Sequence, residues 1–404
     1  MRRTLPLLVF ICFWMVISVG NIHAMKILPL FEFSLGGGNS FFQGQASAFG
    51  GDAYLDFTPV LKINEDIDIL PRLSARYQGN RRILELSGGG SLFQQALDGM
   101  FSLKYIQKVS EELRVKFNAG YKKELLQETV NEPFGQGLYD YDKYGGGLEL
   151  EQEGVRGGYN FYIMRFPRYA SLASTSPDTQ YKELAGGTYV LDYNANEIFV
   201  SGKKMLVENL MGKYGYTYTR ADYIDQKIIT DTGVYTSEKR YDNIHNLSAG
   251  LVWFIPEKRW GSILFVPSIG LSYNLTWYQS NQNHFDADKV YSISYFYDYL
   301  QHRISPSLNI NFPMTEMDLT VVYELAYRGY INRLAQDSSG DYGVEKMNLQ
   351  THSIALYINY PVLERLSVFL SCGLNYSLSN NRDEKVYTYN YSSGNYLIGA
   401  SFKY

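Results

Sequence analysis

Disulfides are the first thing this 404-residue chain lacks. Its two cysteines are Cys12, inside an N-terminal apolar stretch, and Cys372, so a chain cut after Ala24 keeps one thiol and no internal bridge. Long apolar runs are missing as well: nothing beyond that stretch approaches the roughly 20 residues that a spanning helix needs. Helical amphipathic periodicity, Pro/Ser-rich linkers and charge blocks are absent, which argues against a string of soluble domains. Charge of one sign is scarce. The net formal charge is -4, and it becomes -6 when Arg2 and Arg3 leave, which excludes nucleic acid as a natural partner. No Gly-x-Ser-x-Gly turn, paired metal ligands or phosphate loop occurs, so neither a metal nor another cofactor is expected.

What is present begins with a secretory signal. Arg2 and Arg3 precede a fifteen-residue apolar run from Leu5 to Val19, then Gly20, Asn21 and Ala24. Residues 1–24 are read as a signal peptide and 25–404 as one domain. Within that domain a unit recurs seven times, at intervals of roughly 45 to 55 residues: an alternating run, a short turn and a second alternating run. Its clearest copies turn near Pro256, Pro313 and Pro361. The chain carries 37 tyrosines at a slightly negative mean hydropathy, a combination suited to strands with one face in lipid and one in water.

Parity along the strands makes this concrete. Leu113, Val115, Phe117, Ala119 and Tyr121 share one face against Arg114, Lys116, Asn118 and Gly120. Ile263 to Leu275 and Met317 to Tyr327 split in the same way, and each apolar face lasts the roughly 9 to 11 residues that a tilted strand needs to cross a bilayer. Strands are expected near 26–35, 50–61, 66–78, 96–107, 112–123, 141–151, 155–165, 186–205, 209–224, 241–255, 261–278, 290–312, 317–331, 346–360, 365–378 and 387–404. The fold class is therefore all-β: a transmembrane, antiparallel, up-and-down β-barrel of sixteen strands, or fourteen if the first strand and a neighbour fail. Short turns would face the periplasm. Longer loops, including 225–240 and 332–345, would face outward, next to a lipid-side girdle that includes Tyr214, Tyr216, Tyr218, Tyr291, Tyr295, Tyr297, Tyr387, Tyr389 and Tyr391.

The last strand places Tyr396, Ile398, Ala400, Phe402 and Tyr404 on one face and stops on an aromatic. This resembles the closing strand of bacterial outer-membrane barrel proteins, with tyrosine in place of the commoner phenylalanine. The resemblance implies the bacterial outer membrane as location, its lipid as surroundings and the barrel assembly machinery as a partner during biogenesis. Glu132, Pro133, Phe134 and Gly135 look like the Pro-Glu-Phe-Gly motif of the constriction loop in general diffusion porins, with the first two residues exchanged. That likeness implies a loop folded into the pore.

A barrel of this size leaves an aqueous lumen unless something fills it, so a porin-like channel for passive diffusion of small polar solutes is the expected function. The inward set includes Arg72, Arg76, Lys104, Arg114 and Lys116, then Glu149 and Glu151, with Asp318 and Glu324 farther around the wall. These charges would set a transverse field across the pore, or simply wet it. The alternatives are an adhesive or structural barrel that binds partners through its loops and, from another class, an outer-membrane hydrolase. Against the last, His245 and Ser248, His302 and Ser305, and His352 and Ser353 are separated by odd numbers and fall on opposite strand faces. A homo-oligomer is compatible with the sequence, because lipid-facing and interface residues look alike.

Overall fold

The computed structural model describes residues 26–42, 45–79, 95–127, 133–169, 189–287, 289–383 and 389–404. The expected signal peptide lies outside them. Sixteen long strands form the wall: β1 Phe31–Phe42, β2 Gln45–Phe57, β3 Ile67–Gln78, β4 Gln95–Lys108, β5 Leu113–Gln127, β6 Tyr141–Gln152, β7 Val155–Arg165, β8 Tyr193–Val207, β9 Leu210–Ile229, β10 Tyr235–Phe254, β11 Ile263–Ser280, β12 Tyr299–Phe312, β13 Met317–Gln336, β14 Tyr342–Leu363, β15 Leu366–Ser379 and β16 Tyr391–Lys403. Each pairs antiparallel with its sequence neighbour, and β16 closes onto β1 from Glu32↔Lys403 to Phe42↔Ser393. Closure matters energetically, because an open edge in hydrocarbon leaves backbone groups unsatisfied at several kcal/mol each.

Alternation decides which face each residue takes. Leu73, Phe101, Phe117, Leu148, Ile198, Leu247, Leu271, Leu308, Ile354 and Ile398 are all exposed on the outer face. Lys116, Glu124, Glu149, Asp242 and Ser353, on the opposite parity, are buried. The polar face is the lumen and the apolar face meets lipid.

The two ends differ. At one end turns are short: Glu153 and Gly154 close β6 to β7 with φ of 47° and 82°, the two positive angles that a hairpin turn matching strand twist requires. At the other end lie the longer connections. Two expected loops are strand instead. Residues 225–240 and 332–345 extend β9–β10 and β13–β14 into tall hairpins, with Lys227 paired to Lys239 and Leu334 to Lys346. Polar side chains had marked them as loop, but beyond the membrane both faces of a hairpin meet water and the lipid-side alternation no longer applies.

Several strand assignments shift. The first wall strand is 31–42 rather than 26–35, because Pro29 has no N–H for the ladder, and Lys26–Leu28 peels away to pair with Val60–Lys62. The second runs 45–57 and stops before Pro59. The expected strand 290–312 begins only at Tyr299, and Tyr291–Ile293 joins His284–Asp286 in a small separate hairpin.

Candidate functional site

The inward wall carries two chemically distinct zones. The charged zone contains the predicted site residues. Lys116 on β5 is 8 % exposed, and its Nζ donates to Glu149 at 2.6 Å and to Glu151, both on β6. Arg114 stands 3.9 Å from Glu151. Arg72 on β3 donates from Nε to Asp56 at 2.5 Å and from Nη2 to the Tyr54 hydroxyl at 3.1 Å. Arg76 pairs across the ladder with Asp98, and Lys104 with Asn118. Farther around, Asp318 accepts from Asn311 at 2.8 Å and Glu324 lies 3.7 Å from Arg303. The structure thus gathers Arg114, Lys116, Glu149 and Glu151 into one cluster and leaves the others apart. Because most of these cations meet an acid on the adjacent strand, the expected transverse field is largely cancelled locally.

Asp318 also borders a chamber of about 720 Å³ at the short-turn end of the lumen, walled by Ser34, Asn309 and Thr320 together with Phe254, Val266 and Phe369. Of the expected constriction loop, Glu132 lies outside the described residues. Phe134 packs edge-on against Tyr77, with ring centroids 6.3 Å apart, and Gly135 sits near Leu125. Tyr77 and Leu125 share the lipid-facing parity of Leu97, their ladder partner, so Phe134 and Gly135 stay at the rim rather than inside the lumen.

The second zone was not singled out from the sequence. From β6 to β13 every strand but one places a tyrosine on the inner face near the long-loop end: Tyr141, Tyr162, Tyr193, Tyr223, Tyr278, Tyr299 and Tyr330, with Arg240 on β10 as the exception. Neighbours touch in series. Tyr162 and Tyr193 centroids are 6.4 Å apart, Tyr193 and Tyr223 5.4 Å, and Tyr278 stacks on Tyr299 at 5.0 Å. Cations lie over the rings: Lys143 over Tyr162 at 3.9 Å, Arg240 over Tyr223 at 4.5 Å and Arg328 over Tyr299 at 4.3 Å. At the centre, Arg240 holds Asp242 through two bonds of 2.9 and 2.8 Å, while Tyr278 and Tyr223 donate to the same carboxylate. Parity could have revealed this ring, because its tyrosines share the face of the inward charges.

The connection 281–298 leans over the ring. Tyr297 stacks on Arg240 and Phe296 on Arg333, each at 4.5 Å. Arg333 also bonds the Tyr389 hydroxyl, and Tyr391 is 5 % exposed, so these members of the expected lipid-side girdle serve the interior instead. Tyr214 and Tyr216 do face outward, and Tyr387 lies outside the described residues.

His284, in the small hairpin of this connection, stacks on Phe296 at 4.5 Å. Burial, then Arg333, holds its imidazole below the usual 6.5, with Asp286 opposing. A base depressed in the docked state favours docking above its free pKa and loses that contribution as pH falls. Protection of the amides in 284–287 and 289–293, taken relative to the intrinsic exchange rate at each pH, should therefore fall below about pH 6.5, and His284→Phe should abolish that acid step.

No family model matches the chain, and no curated protein does either. Among solved structures, it is similar to Pseudomonas putida OprB at 13 % identity, with 93 % of this chain and 94 % of that one covered and a TM-score of 0.51. It is also similar to Acinetobacter baumannii OccAB3 at 9 % identity, over 93 % and 99 % of the two chains, with a TM-score of 0.50. At such identities the likeness is one of fold. The chain is an all-β, closed, sixteen-stranded barrel with the fold of bacterial outer-membrane proteins.

Proposed function

We propose that the chain is a passive channel that admits small polar solutes past the inward tyrosine ring. The observation that supports this most is that ring, carried by seven of eight successive strands with Arg240 on the other, above a chamber whose wall mixes serine, threonine and asparagine with apolar side chains. Tyrosine rings offer a solute flat faces and hydroxyls together, and the cations between them supply donors, so a hydroxylated solute exchanges hydrogen bonds with water for similar ones on the wall. Local pairing of acids and bases leaves little net charge to select for sign. The three wall histidines each bond a tyrosine on the outer face, while Ser248, Ser305 and Ser353 point inward, so these pairs form no Ser–His dyad.

Purified protein in a planar bilayer should give stable conductance steps with weak ion selectivity. A correctly folded barrel that passes no current would overturn the channel and favour a barrel that acts through its loops.

A further inference from the structure

The connection from β11 to β12 is bonded well beyond its own two strands. Its described residues are 281–287 and 289–298. Asn281 continues the ladder onto β10, accepting from the Tyr241 amide at 2.8 Å. Past β10 the next two side chains reach β9: Gln282 accepts from the Ile229 amide at 3.2 Å and donates to the Lys227 carbonyl at 3.0 Å, and Asn283 donates to the Ile229 carbonyl at 2.7 Å. At the returning end the Asp298 carbonyl accepts from the Ile331 amide of β13 at 2.9 Å. One connection thus spans the tops of five strands, β9 to β13.

It crosses on the lumen side. Tyr297 stacks on Arg240, which shares the inward parity of Asp242, and Phe296 stacks on Arg333, whose guanidinium also lies 5.2 Å from the inward Tyr330 ring. The Phe296 and Tyr297 rings meet edge to face at 5.2 Å, so an unbroken line of contacts runs from Arg240 through both rings to Arg333. The Tyr389 hydroxyl, accepting from Arg333 at 2.7 Å, carries that line on to the connection before β16. Phe296 is 9 % exposed, pressed between Arg333 and His284. The tip is fastened at both sides. Phe285 covers Gly233 at the turn of the β9–β10 hairpin, where a Cβ would lie 2.6 Å from its ring, while Tyr291 stacks on Tyr342 of β14 at 4.7 Å and Lys289 bonds Asp341. Within this segment Val290 and Tyr295 hold φ of 50° and 52°. Side chains of this size keep such angles only where the surroundings impose them.

We infer that this connection is the constriction of the lumen, clamped over the mouth by Arg240 and Arg333, and that Phe296 and Tyr297 set the largest solute that passes. It takes the part that the sequence suggested for Glu132, Pro133, Phe134 and Gly135, of which Phe134 and Gly135 stay at the rim. The tyrosine ring belongs to the wall itself, whereas these two side chains form a second layer inside it. A hydroxylated solute of small cross-section finds ring faces and hydroxyls there, and a bulky one is stopped at the outer mouth. The inference rests on the channel reading, because a constriction acts only in an open lumen.

The test records the full chain in planar bilayers and follows the swelling of liposomes in polyethylene glycols of graded size. Replacing Phe296 and Tyr297 together by alanine should raise single-channel conductance about twofold and admit larger glycols. Arg333→Gln should act in the same direction more weakly, since it removes the cation beneath Phe296 and leaves both rings in place. Phe134→Ala, at the rim, should change neither quantity. If the double alanine variant does not fold, Tyr297→Cys in a Cys372→Ser chain answers the question: a bulky thiol reagent should cut its current. A conducting parent whose current and size limit survive the double change, or a Tyr297→Cys channel indifferent to the reagent, would overturn the constriction and leave the channel standing. Passage of larger glycols through Phe134→Ala would return the role to the rim loop and overturn it as well. Silence of the parent and of every variant would reject the channel, and the constriction with it.

Discussion

Replacing Arg240 by alanine is expected to cost about 3–5 kcal/mol of barrel stability, the range for breaking a buried ion pair from one side. Asp242 is 1 % exposed and Arg240 7 %, and the guanidinium meets the carboxylate with two parallel bonds. Without Arg240 the carboxylate stays buried, with only Tyr223 and Tyr278 as donors. The same change removes the cation under Tyr297 and thus one anchor of the connection over the lumen mouth. Urea titration of the protein in micelles, followed by heat-modifiable electrophoretic migration, would measure the loss. Arg240→Met together with Asp242→Leu should recover most of it, because no buried charge is then left unpaired. Arg240→Lys should recover less, since an ammonium cannot reproduce the planar two-bond fork. A single alanine variant within about 1 kcal/mol of the parent would reject the account, as that is the size of an ordinary substitution.

Gly399→Val is expected to abolish closure of the barrel. Gly399 on β16 pairs with Gly36 on β1 and with Phe369 on β15. A Cβ added there would lie 2.3 Å from the Leu35 carbonyl oxygen and 2.4 Å from Phe369 Cζ. The phenyl ring covers both seam glycines from the lumen side, an aromatic lid over positions that have no side chain of their own. If β16 cannot seat, β1 and β15 are left with open edges in hydrocarbon, at several kcal/mol for each unpaired backbone group. Expression in cells should then yield no heat-modifiable folded form in the outer membrane. Adding Phe369→Ala to the milder Gly399→Ala should restore part of the folded yield, though not all, because the Leu35 carbonyl does not move away. Full assembly of Gly399→Val would show that the seam tolerates bulk there.

Much of the wall was legible from residue order alone. Leu113 to Tyr121 and Met317 to Tyr327 were sorted to the correct faces because strand side chains alternate strictly, so one outward residue assigns all the others on that strand. The same parity put His245, His302 and His352 opposite their nearby serines. The errors fell where alternation has no lipid to answer to. Beyond the membrane the β9–β10 and β13–β14 hairpins read as loops, and the tyrosines at those ends read as an outer girdle although several line the mouth.

By itself, then, the sequence determined a closed barrel of fourteen or sixteen strands and, along the membrane-crossing stretches, which residues face lipid or lumen, because a period of two is a property of one strand. Only the tertiary structure decided which of those residues meet. The offset of each strand against the next belongs to the tilt of the closed wall. That offset sets Lys116 between Glu149 and Glu151, brings Tyr278 onto Asp242, and brings each of three histidines onto a tyrosine of the next strand. A single strand carries no record of its neighbour's register, so the tyrosine ring appears only once the wall has closed.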